Sequence, residues 1–150
     1  MGAMEGLGRV FEIVPIASGV GIRLKNCSAV SFVTTTAATD TFSLTIATAF
    51  AGTYRAGSFF TPAWTPISKV YRALARDGSA VWTAAVQTAA DNWVNGAGAS
   101  VTCLATLFTS VVPDPYLYVK CTAGGSGLVT AILHDLAYQR KPVNLPAVSA

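Results

Sequence analysis

Apolar and polar positions alternate along most of this chain, and glycine, proline or aspartate interrupts the pattern roughly every ten to fifteen residues. Residues 28–34 and 40–49 are rich in β-branched and aromatic side chains. In the second run Phe42, Leu44 and Ile46 alternate with Ser43, Thr45 and Ala47, which predicts a strand with one buried face. Residues 9–15 form a shorter apolar run interrupted by Glu12. Residues 100–110 also predict a strand, but both faces are partly apolar: Val101, Cys103, Ala105 and Leu107 on one, Leu104 and Phe108 with threonines on the other. Such a strand lies centrally in a sandwich or faces another subunit. In residues 66–76, Ile67, Val70, Tyr71 and Leu74 fit helical spacing, yet Asp77-Gly78 is a tight-turn signal before 79–83, so we expect a strand and hairpin. Residues 83–94 have no decisive period and accommodate a strand or a short helix. Residues 52–66 read as a loop carrying Tyr54, Phe59, Phe60 and Trp64.

The C-terminal third has the clearest pattern. Over residues 116–122, Leu117, Val119 and Cys121 fall on one face and Tyr116, Tyr118, Lys120 and Thr122 on the other. Ala123-Gly124-Gly125-Ser126-Gly127 is expected to supply the positive φ values of a turn, pairing this strand with a second one over 128–136. After Tyr138 the apolar period ends. Gln139-Arg140-Lys141-Pro142-Val143-Asn144-Leu145-Pro146 cannot be helical, because each proline holds itself and its predecessor in extended geometry. Val143, Leu145 and Val148 are spaced there as apolar anchors. The expectation is an all-β chain, a β-sandwich or barrel-like single domain of about seven to nine short strands over 1–138, with an extended C-terminal tail over 139–150.

Composition adds one constraint. Of 150 residues, 52% are hydrophobic and 11% charged, against about 25% charged in ordinary soluble domains. So little charge coats a free surface poorly, and part of the surface is expected to be covered by a partner. Mean hydropathy is +0.50, but the longest charge-free stretch, 92–113, is broken by Gly96, Gly98, Ser100 and Thr102, and falls short of the roughly twenty apolar residues of a spanning helix. No membrane segment is expected, nor a signal peptide or myristoylation signal at the N-terminus.

Few residues offer chemistry. Cys27, Cys103 and Cys121 form no CxxC pair, and with a single histidine they give no plausible zinc set. Cys103 and Cys121 fall in phase with apolar neighbours and read as small buried hydrophobes; reduced thiols suit a cytoplasmic assembly site. His134-Asp135 cannot act as base and orienting acid, since adjacent strand residues point to opposite faces. The acidic residues are scattered, and Asp77, Asp91 and Asp114 sit in turn contexts where a carboxylate satisfies backbone. The run at 124–127 lacks the Lys-Ser/Thr of a phosphate loop. We therefore expect no catalytic residues, cofactor or metal. The net charge of +3 is spread over Arg23 with Lys25, Lys69 with Arg72 and Arg76, and Arg140 with Lys141. These groups are too sparse for a specific nucleic-acid site.

The ending, a strand, a glycine turn, a strand closing in Ile132-Leu133-His134-Asp135-Leu136, and Gln139-Arg140 before Pro142-x-Asn144-Leu145-Pro146, resembles the C-termini of small virion structural proteins of tailed bacteriophages, most closely head decoration proteins. The resemblance implies a non-enzymatic β-rich shell component on the capsid surface of the virion, made in the host cytoplasm. Its partner would be the major capsid protein lattice, and it would form a homo-oligomer, a trimer by analogy. Arg23, Lys25, Arg140 and Lys141 are then candidate contacts to acidic capsid surface, with Val143, Leu145 and Val148 as anchors. The competing expectation is a receptor- or carbohydrate-binding β-sandwich module of a tail or fibre, with Tyr54/Trp64 or Trp82/Trp93 as sugar platforms.

Overall fold

The computed structural model describes residues 11–73, 81–96 and 101–136. These form eleven strands: β1 (Phe11–Val14), β2 (Gly21–Arg23), β3 (Ala29–Thr35), β4 (Thr41–Ala47), β5 (Arg55–Ala56), β6 (Ile67–Ala73), β7 (Thr83–Ala90), β8 (Asn92–Val94), β9 (Thr102–Phe108), β10 (Tyr118–Ala123) and β11 (Leu128–His134). They build two antiparallel sheets packed face to face. One has six strands in the order β1-β11-β3-β9-β6-β7; the other is β2-β10-β4, with β5 and β8 sharing the far edge of β4. The all-β sandwich is thus as expected. The strand number exceeds the expected seven to nine because β2, β5 and β8 are two- or three-residue pieces too short to leave a period in sequence.

Alternation places the core. Phe42, Leu44 and Ile46 of β4 and Val119 and Cys121 of β10 meet Val30 and Phe32 of β3, Cys103, Ala105 and Leu107 of β9, and Val129, Ala131 and Leu133 of β11, all buried. Trp93 of β8 stands at the centre, its ring 6.0 Å from Phe42 and 6.4 Å from Phe32. Burial of this many apolar side chains is the main force closing the sandwich. Residues 66–76 resolve toward strand as far as they are described: β6 pairs with β7, with a register shift between Ile67 and Lys69. The Asp77-Gly78 turn lies outside the described residues.

Two expectations are corrected. The strands at 116–122 and 128–136 do not pair with each other: β10 pairs with β2 and β4, while β11 pairs with β1 and β3. The glycine segment between them is a corner from one sheet to the other. Nor do its glycines supply positive φ; among the described residues Gly19 and Gly96 are the glycines that do. They are needed for room instead. The corner wraps the Asp40 carboxylate, whose Oδ1 accepts the amides of Thr41 and Gly125, both at 2.8 Å, and whose Oδ2 accepts that of Gly127 at 2.9 Å. A Cβ on Gly127 would lie 2.6 Å from both Asp40 Oδ2 and Phe42 Cζ. Asn95 fastens the same carboxylate residue from the other side, its Oδ1 accepting the Asp40 amide at 2.8 Å. Asp40, Gly127 and Asn95 thereby lock β4, the corner and the segment after β8 together.

Candidate interaction face

Cross-strand partners in an antiparallel sheet share a face, so the register defines both outer surfaces of the sandwich. On the five-stranded sheet the outer positions are mostly polar: Arg23 of β2, Tyr118, Lys120 and Thr122 of β10, and Thr41, Ser43 and Thr45 of β4, with Val94 of β8 and Ala47 of β4 as apolar members. Lys120 covers the Tyr54 ring at 3.9 Å, and Tyr118 meets Phe50 edge-on at 6.2 Å. This surface is solvated as the free side of an antiparallel sheet normally is.

The six-stranded sheet differs. Its outer rows run Phe11–His134–Ala29–Phe108, then Ile13–Ile132–Ser31–Thr106, then Thr130–Val33–Leu104–Tyr71–Ala84, with Lys69 beside Val86 and Leu128 beside Thr35. Lys69 is the one Lys, Arg, Asp or Glu in these rows. Ile13 is 51% exposed, Tyr71 40%, Val86 79%, Phe108 58% and Leu128 63%. Five strands of seven or eight residues and the four-residue β1, about 4.8 Å apart and about 3.3 Å per residue, give the whole sheet face, polar positions included, a footprint on the order of 600 Å². Exposed apolar side chains gathered on one face, here interrupted by threonines and the Ser31–His134 pair, make it the candidate interaction surface of the sandwich. The two-sided apolar character of residues 100–110 has the first of its two expected causes, a central place in the sheet. β9 is central, between β3 and β6, and its outer side chains Leu104 and Phe108 belong to the exposed face.

A polar seam crosses this face. His134 Nε2 and Ser31 Oγ lie 2.8 Å apart, and Ser31 Oγ is 2.8 Å from Thr106 Oγ1. A Ser–His contact is the first element of an activated nucleophile. The second, a group orienting the imidazole, is not supplied by Asp135: its backbone has turned to φ 51° and its Oδ2 accepts a hydrogen bond from Ser28 Oγ at 2.8 Å. Ser31 is moreover buried within the sheet surface. The seam ties β11, β3 and β9 in register. No sequence signal pointed to it, since Ser31, Thr106 and His134 are brought together only by strand order.

The remaining expected site residues separate. Arg23 and Lys25 are exposed at the β2 edge, across the sandwich from the apolar face. Of the second basic group, Lys69 is on that face, Arg72 turns inward and donates to the Val94 carbonyl at 2.8 Å, and Arg76 lies outside the described residues. Arg140, Lys141, Val143, Leu145 and Val148 also lie outside them. Trp64 and Trp93 are buried, so each supposed sugar platform loses a member to the core; Trp82 is exposed. Asp91 satisfies backbone as its turn position implies, accepting the Gly57 amide at 2.7 Å.

All three cysteines are free and buried. Burial pushes the Cys121 thiol up to about 12 and the Cys27 thiol up to about 11, the latter helped by the charge of Glu12. Burial also raises Cys103, against an opposing pull from Arg72. Protonated thiols of this kind are neither nucleophiles nor metal ligands. Among the described residues no group of three His, Cys, Asp or Glu side chains could hold a metal, and no helix is long and apolar enough to cross a membrane. In comparisons with protein families, with curated proteins and with solved structures, none matches this chain.

Proposed function

We propose that this protein is a non-enzymatic assembly component that docks onto a protein lattice through the outer face of its six-stranded sheet. The observation that carries the reading is the outer face of the six-stranded sheet, where exposed Ile13, Tyr71, Val86, Phe108 and Leu128 gather with Lys69 as the one charged residue of the rows, whereas the other face is richer in polar and basic side chains. Apolar surface drives association, and the Thr106–Ser31–His134 seam, whose groups must find partners or stay paired when covered, sets its register. The partner in this reading comes from the resemblance of the C-terminal residues to head decoration proteins of tailed bacteriophages: the chain is a shell-stabilising protein on the capsid surface, present as a homo-oligomer with the trimer as first choice. A sheet face suits that task, because a broad, flat contact spreads over neighbouring shell subunits.

The test compares the full chain with the double variant Phe108→Asp/Val86→Asp. Both side chains are exposed, so the variant should keep its melting temperature while losing cosedimentation with undecorated capsids by more than tenfold, the effect of about 1.4 kcal/mol. Sedimentation velocity should show the wild type self-associating and the variant shifted toward monomer. A wild type that stays monomeric at high concentration and ignores capsids, or a variant that binds them as well, would remove the proposal.

A further inference from the structure

Away from the sheet face lies an open apolar cleft of about 470 Å³. Phe60, Pro62, Trp64 and Pro66 line one side and Val111 and Pro113 the other. It is rigidly built: the Trp64 indole Nε1 donates to the Val111 carbonyl at 2.8 Å, joining the two sides, and Phe60 packs edge-on against Tyr116 with ring centres 5.0 Å apart. Grooves lined by aromatic and proline rings take extended proline-bearing peptides, whose preset backbone loses little entropy on docking.

We propose that this cleft is the docking site for residues 142–146 of the same chain, Pro142-Val143-Asn144-Leu145-Pro146. The position of the chain end argues for this occupant. Ser28 accepts from Thr109 through its carbonyl, donates its amide to the His134 carbonyl and its hydroxyl to Asp135. The end of β11 and the segment leading into Val111 and Pro113 are therefore neighbours at one end of the sandwich, about 10 Å apart across β3. Leu136 packs against the core, and the six residues from there to Pro142 span up to about 20 Å. The reach is sufficient. Charge agrees as well, for Arg140 and Lys141 precede the segment while exposed Asp114 adjoins the cleft at Pro113 and Asp135 ends β11. A tether this short holds the segment at an effective concentration on the order of millimolar, so shallow contacts fill the site. This inference is independent of the docking role of the sheet face.

The test uses the full chain. In Ala63→Cys/Leu145→Cys, the first position is exposed at the cleft; the control Leu128→Cys/Leu145→Cys places the first cysteine at the far end of β11. Mild oxidation, digestion and mass spectrometry should give an intramolecular link in the cleft pair exceeding the control on the order of tenfold, as effective concentration dictates. Equal linking in both, or links formed between copies in proportion to concentration, would overturn the proposal, the latter assigning the segment to a second copy. Independently, Leu145→Asp in the otherwise native chain should shift the Trp64 indole resonance and leave that of Trp82 unmoved. An unmoved Trp64 signal would equally overturn it.

Discussion

Replacing Asp40 by asparagine removes one charge and one acceptor from the corner that joins the two sheets. Oδ1 holds the Thr41 and Gly125 amides and Oδ2 the Gly127 amide, at 2.8, 2.8 and 2.9 Å, and the residue is buried. An asparagine oxygen in the Oδ1 position keeps two bonds, now neutral, while its NH₂ faces the Gly127 N–H, donor against donor. The orphaned amide costs about 1–3 kcal/mol and the loss of charge assistance about 0.5–1 kcal/mol for each of the two surviving bonds, a total of about 2–5 kcal/mol. Against a domain stability of about 5–15 kcal/mol that is a large fraction. Urea titration should show a lower midpoint at unchanged slope, and the melting temperature should fall by about 5–15 °C. Gly127→Ala should cost a comparable amount, because its Cβ would press on the same oxygen and on Phe42. The double variant should lose less than the sum, since both act on one network. A loss below about 0.5 kcal/mol for Asp40→Asn would refute the idea that this carboxylate holds the corner.

Two further outcomes follow from thiol burial and surface charge. The folded thiols of Cys27 and Cys121 titrate near 11 and 12 against an ordinary 9.0. Both states are thus mostly protonated below about pH 8, and these thiols add no pH dependence to stability there. As pH rises from about 9 toward 12 the unfolded chain loses its thiol protons first, so stability should decline across that window in alkaline urea titrations; at pH 8 a thiol reagent should react only after unfolding. Arg23 and Lys25 stand across the sandwich from the apolar face, beyond a screening length of about 8 Å at physiological salt. Arg23→Gln/Lys25→Gln should leave the attachment rate to a shell unchanged, and slowed attachment would mean that the β2 side faces the partner.

Much of the fold was legible because strand patterning is local. The alternation of Phe42, Leu44 and Ile46, and of Val101, Cys103, Ala105 and Leu107, marks buried faces whatever the strand order, and all seven are buried. The strand over Ile67–Ala73 followed from setting a turn signal above an accidental helical spacing, while its partner β7 falls where no decisive period could be read. The aromatic residues of 52–66 were less legible. Trp64 goes inside with its indole bonded to Val111, whereas Phe59 stays half out beneath Arg55, because their surroundings come from segments distant in sequence.

By itself, then, the sequence determined that the chain is β-rich, where most strands run, that its cysteines behave as hydrophobes, and that few of its residues are charged. Each of these depends on a residue and its near neighbours or on composition. Tertiary structure alone decided which sheet each strand joins, since pairing is a contact between distant segments with nearly equal local preferences. That choice separated β10 from β11, turned the glycines at 124–127 from an expected hairpin loop into a cradle for Asp40, and aligned Ser31, Thr106 and His134. It also decided where these apolar side chains meet: Ile13, Leu128, Leu104, Phe108, Tyr71 and Val86 come from five strands, and they share one face only when register lays those strands in one sheet.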